Sequence, residues 1–184
     1  MAAYHVVLVH FPLALWMTAT LAILFRAVSG GALARGIDRA LVPMLVLALV
    51  LGLMAYGVGG LVWPWETISS SPLGRNHVLA ATWTMAYWAL VLALRWRAGE
   101  AVWQGPMRAV MAGLALVGSF LLAITGTLGG HLVGIYTEVS QALRLLGWEV
   151  YTTFYVPDLT LAVLGVASLL LLGLALLGRR ANQG

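Results

Sequence analysis

The chain contains no cysteine and no lysine, and its acids are few, six Asp and Glu against ten arginines. Without cysteine there is no disulfide, iron–sulfur cluster, thiolate haem ligand or covalent haem attachment. Without lysine, the formal charge of +4 comes from arginine alone. The arginines sit at the ends of hydrophobic segments, so a pI near 10 reads as membrane topology and not as a nucleic-acid surface. No Walker loop, dinucleotide fingerprint or Ser/His/Asp set appears. No catalytic residue set is therefore visible in the sequence.

What is present is apolar sequence. With 184 residues, 62% hydrophobic and 9% charged, and a mean hydropathy of +0.97, a soluble domain is excluded. The length accommodates about five spans of roughly 20 residues. They are expected over residues 5–25, 41–61, 77–94, 110–131 and 159–177. The first apolar run reaches full spanning length, so no cleaved signal peptide is expected. Arg26, Arg35 and Arg39 follow the first span, Arg95, Arg97 and Arg108 the third, and Arg179 and Arg180 the fifth. Glu66, Glu138, Glu149 and Asp158 fall in the other loops, with Arg75 and Arg144. Positive charge marks the cytoplasmic side, which puts the N-terminus outside and the C-terminus in the cytoplasm.

The expected fold is thus an all-α integral membrane protein: a bundle of four core transmembrane helices plus a fifth C-terminal span. Residues 1–136 form the core with a histidine site, 137–158 an outer amphipathic helix and loop, and 159–184 the fifth span and basic tail. Tyr136, Val139, Leu143 and Leu146 recur at helical spacing and supply the amphipathic pattern. Trp63, Trp65, Trp148 and Tyr151 suit an outer aromatic belt, Trp96 and Trp103 an inner one.

The chemistry-bearing residues are four histidines, His5, His10, His77 and His131. An imidazole in lipid is expensive unless it faces the bundle and has a partner. Taking the arginine that closes each span as a floor, His10 lies roughly 24 Å above Arg26 and His77 roughly 27 Å above Arg95. His5 lies roughly 31 Å above Arg26, and His131 roughly 34 Å above Arg108. All four belong to the outer part of a core about 30 Å thick. Two levels emerge, His10 with His77 and His5 with His131. Paired imidazoles from different helices suit the axial positions of haem iron. His5 and His10 diverge by about 140° on one helix and cannot readily serve the same metal.

Gly129 and Gly130 precede His131, and Gly57, Gly59 and Gly60 end the second span at the same depth. Lacking side chains, they admit a flat porphyrin, although Gly126 and Gly130 also form a GxxxG packing motif. Arg75 and Asn76, just before His77, are placed to bind haem propionates or a quinone headgroup, or Asn76 caps the third helix. An interfacial histidine is also an ordinary anchor, a reading with most weight for His5 and His131. Copper or zinc could use the same imidazoles, with Met54 or Met85 as soft ligands.

The segment His5-Val6-Val7-Leu8-Val9-His10-Phe11-Pro12-Leu13-Ala14-Leu15 resembles a bacterial family of predicted membrane proteins, a domain of unknown function. Its members open with an HPxxVHFPIAL-like first helix. The resemblance implies a core of four spans, a histidine at the start of the third, matched by His77, and a Gly-Gly-x-Leu-Val run ending the fourth, matched by residues 129–133. It covers residues 4–136. Val6 stands where the family has proline, His131 occupies the variable position of the run, and the fifth span is an addition.

Together these readings lead to an expected function: a membrane anchor subunit of the bacterial inner membrane that binds one or two b-type haems. His10, His77, His5 and His131 are the candidate iron ligands. Electrons would pass between quinone and a periplasmic redox partner, alongside other membrane subunits. The competing readings are a haem-free structural or assembly subunit and a copper- or metal-handling membrane protein.

Overall fold

The computed structural model describes residues 1–154 and 156–181, with side chains through Leu177. Every regular element among these residues is helical. The long helices are α1 (Ala2–Val28), α3 (Leu41–Gly59), α5 (Pro72–Ala98), α6 (Met107–Leu132) and α8 (Asp158–Ala181). Between them lie the short α2 (Ala32–Arg39), α4 (Trp65–Ser70) and α7 (Glu138–Leu145), and a 3-10 turn at Gly99–Trp103. Lipid offers no partner to a backbone N–H or C=O, so each apolar segment satisfies its own as helix. Five helices are long and apolar enough to cross a bilayer, as the sequence implies. The molecule is a multi-span membrane protein.

Helices α1, α3, α5 and α6 form a four-helix bundle. Helix α1 packs against α3 and α6, and α5 against the same two neighbours, so α1 and α5 face each other across the diagonal. Trp16 and Trp88 meet on that diagonal as a stacked pair, centroids 6.0 Å apart and planes 9° apart. Gly52 of α3 and Gly118 of α6 make room for them: a Cβ at Gly52 would lie 2.9 Å from the Trp16 ring, and one at Gly118 3.1 Å from Trp88. Side-chain bonds tie neighbouring helices together, Thr20 to Ser119 at 2.7 Å and Thr84 to Thr125 at 2.9 Å. In membranes such bonds average about 0.6 kcal/mol each. Helix α8 lies outside the bundle against α6, where Gly113 admits Leu171.

One end of the bundle carries the arginine-rich connections. There Asp38, on α2, is buried at 2% exposure. Arg95 donates to it from Nε at 3.1 Å and Nη2 at 2.7 Å, and Trp103 Nε1 donates at 3.1 Å. Glu100 accepts from both Arg26 (3.1 Å) and Arg95 (3.0 Å). Arg26 and Arg95 are therefore clamps between connections as well as flanking charges. Trp103 is buried against Asp38 and does not project as an interfacial anchor.

The opposite end is capped. Leu143 of α7, Trp148 and Val150 pack with Leu73, Ala80, Ile124 and Leu128 of α5 and α6. The apolar side of α7 thus meets the bundle through Leu143 and Val139. Trp148 is inside this cluster, whereas Trp63, Trp65 and Trp96 remain exposed.

Candidate functional site

The site is built at the capped end, where α1 and α5 carry His5 and His77. Each histidine lies eleven residues before the tryptophan of its helix, His5 before Trp16 and His77 before Trp88. Eleven residues turn a helix three full times plus about 20°, so each histidine shares the inward face of its tryptophan, about 16.5 Å further along. Since the two tryptophans stack, the two histidines stand at one height.

Each imidazole is held the same way. His5 Nδ1 is 2.9 Å from the Ala55 carbonyl of α3, and His77 Nδ1 is 3.1 Å from the Thr125 carbonyl of α6. A carbonyl only accepts, so Nδ1 carries a proton in both rings, and in the neutral tautomer this fixes, Nε2 is the lone-pair nitrogen. Four residues beyond each acceptor stands a glycine, Gly59 and Gly129 respectively. A Cβ at Gly59 would lie 2.8 Å from His5 Cε1, and one at Gly129 2.9 Å from His77 Cε1. The α1–α3 pair and the α5–α6 pair thus repeat one unit: histidine, carbonyl, glycine, tryptophan. Both imidazoles are half-buried, and among the described residues no hydrogen bond engages either Nε2.

The remaining expected residues fall elsewhere. His10 is on the exposed side of α1, and its Nδ1 turns back to the Val6 carbonyl of its own helix at 2.6 Å. The structure therefore brings His77 to His5 and not to His10. The arginine floor misaligned the two helices: Arg26 is ten residues past Trp16, but Arg95 is only seven past Trp88. That difference of three residues is about 4.5 Å, enough to move His77 from the level of His10 to that of His5. Long arginine side chains reach the same acids from unequal heights, which makes them a poor ruler.

His131 is 8% exposed and faces the cap. Its Nδ1 bonds the Tyr151 hydroxyl at 2.9 Å, and it is not joined to His5. Two residues separate it from Gly129, about 200° around α6, so it points away from the His5–His77 pair. Gly130 serves the turn after α6: its carbonyl accepts from Ile135, and a Cβ would lie 2.9 Å from the Ile135 oxygen. Gly126 meets only Leu13, at 4.0 Å, so this GxxxG is not a site of close helix approach. Asn76 is buried and donates from Nδ2 to the Thr153 carbonyl at 2.6 Å, tying α5 to the cap. The N-cap of α5 is instead Ser71, which accepts from Gly74 N. The Arg75 guanidinium stacks over Phe154, 4.2 Å from its ring centre.

The donor set suits a bis-imidazole ligand. Two histidines on opposed helices have Nε2 atoms that no hydrogen bond engages among the described residues, and each is oriented by a backbone carbonyl in the manner of metal-ligating histidines. Glycines stand where a side chain would displace either ring. The sequence signal missed at first is the repeated eleven-residue His-to-Trp spacing, which alone pairs the correct helices and heights. Searches of family models, curated proteins and solved structures returned no match to the chain.

Proposed function

We propose that this chain is a haem-b-binding membrane subunit that passes electrons between quinone and a periplasmic redox partner. His5 and His77 would together hold a single haem. The observation that supports this reading is the repeated histidine–carbonyl–glycine unit on diagonal helices, which holds the two rings alike and leaves both Nε2 atoms without a hydrogen bond among the described residues. A bound haem would supply reversible one-electron chemistry, and the apolar bundle would tune its potential. The Ala55 and Thr125 carbonyls fix tautomer and ring angle, and Gly59 and Gly129 keep the rings from being displaced. Arg75, beside His77 in sequence, is the residue proposed to meet a propionate.

The arginine-rich end faces the cytoplasm in this proposal, by the excess of arginine on its connections. The histidine end and the N-terminus then face the periplasm of a bacterial inner membrane. A cofactor at that end serves an external partner docking on the cap and does not itself cross the bilayer.

The test is the reduced-minus-oxidised absorbance spectrum of the purified protein. Sharp b-type bands are expected, lost in His5→Ala and in His77→Ala and kept in His10→Ala. A colourless protein with stoichiometric copper would instead favour metal handling, and no chromophore or metal at full occupancy would favour a structural subunit.

A further inference from the structure

A second site lies on the other side of α6. His131 is more than nine-tenths buried, and among the described residues its Nε2 has no hydrogen-bond partner. Its Nδ1 is engaged by the Tyr151 hydroxyl. Either imidazole tautomer therefore leaves one strong donor or acceptor unused in a desolvated place. The ring stands edge-on to two aromatics, Tyr136 at 4.9 Å and Tyr151 at 5.4 Å. Tyr136 and Tyr151 are both exposed, so the aromatic wall beside the buried imidazole opens to the surface of the cap.

We propose that His131, oriented by Tyr151, binds the hydroxyl of a ring-bearing membrane lipid, a quinol. The chemistry selects this class. One neutral imidazole nitrogen offers a single hydrogen bond, which suits a hydroxyl. The neighbouring charged pair on the cap, Arg144 and Glu149 at 3.2 Å, neutralises itself and offers no net charge to a phosphate headgroup. Tyr136 and Tyr151 supply aromatic surface for a ring. His131 lies in the last turn of a membrane-spanning helix, the depth at which a quinol head meets water while its tail stays in lipid. The proposal rests on the quinone-linked function proposed above, but it uses neither His5 nor His77, so the two sites can fail separately.

The test is binding of a fluorescent heptyl-hydroxyquinoline N-oxide, a non-reacting quinol analogue, to the full chain in lipid nanodiscs. Saturable quenching is expected. His131→Gln should weaken it about tenfold, the loss of one buried hydrogen bond, and Tyr151→Phe should weaken it less. His5→Ala and His77→Ala should bind as the wild type does, which separates failure of this site from failure of the haem site. Histidine-selective nitrogen-15 spectra of the unaltered protein guard against a misfolded variant: saturation should shift the Nε2 resonance of His131. An unmoved resonance, absent saturation, or unchanged affinity in His131→Gln would each overturn the proposal.

Discussion

At the scale of single residues, the glycines divide by what stands opposite them. Gly59 and Gly129 each face an imidazole carbon at less than 3 Å from a built Cβ, while Gly126 has ordinary space. Gly59→Ala and Gly129→Ala should therefore displace His5 and His77 and destabilise the bundle by about 1–3 kcal/mol, as overpacking does. Gly126→Ala should change stability by less than about 0.5 kcal/mol. Denaturation in mixed detergent micelles measures all three. Equal effects at residues 126 and 129 would remove the assigned role of Gly129. The sequence marked glycines at the right depth but not which of them faced a ring, because that depends on rotation about α3 and α6.

At the scale of elements, the arginine end shows how flanking charge becomes structure. Asp38, at 1% side-chain exposure, joins α2 to Arg95 of α5 and Trp103 of the 3-10 turn. Asp38→Ala would leave the Arg95 guanidinium, 10% exposed, without that partner, and breaking a buried pair costs about 3–5 kcal/mol. Glu100 still accepts from Arg95, so the lower half of that range is expected in the same denaturation assay. A loss under about 1 kcal/mol would mean that water reaches the pair and screens it. The helices themselves were legible, since apolar runs closed by arginine admit little else. The ion cluster was not, because its members come from four elements, α1, α2, α5 and the 3-10 turn, and only the bundle brings them together. Helix α7 was legible from Val139 and Leu143, but its docking on Leu73 and Leu128 was not.

At the scale of the whole molecule, the bundle is two similar hairpins joined across the Trp16–Trp88 stack, with α8 appended to one of them. The likeness is readable in the chain as His5…Trp16 and His77…Trp88, whereas height counted from arginines misaligned the helices. The proposed orientation has its own check, made clean by the absence of native cysteine. Ser70→Cys, at the histidine end, should react with a membrane-impermeant thiol reagent added to intact cells. Gln104→Cys, at the arginine end, should react only after the membrane is opened. The reverse pattern would invert the assignment of both ends and move the histidine pair to the cytoplasmic side.

The repeated unit makes a quantitative demand on the proposed cofactor. If the proposal holds, the one pair of inward imidazoles, His5 and His77, would be served by one haem, with one ligand from each hairpin. Haem content per chain, measured as the pyridine haemochrome of purified protein, is therefore the most direct measurement. The account predicts one haem per chain in the wild type and in His10→Ala, and near zero in both His5→Ala and His77→Ala. Two haems per chain, or haem lost with His10 and retained without His5, would contradict it.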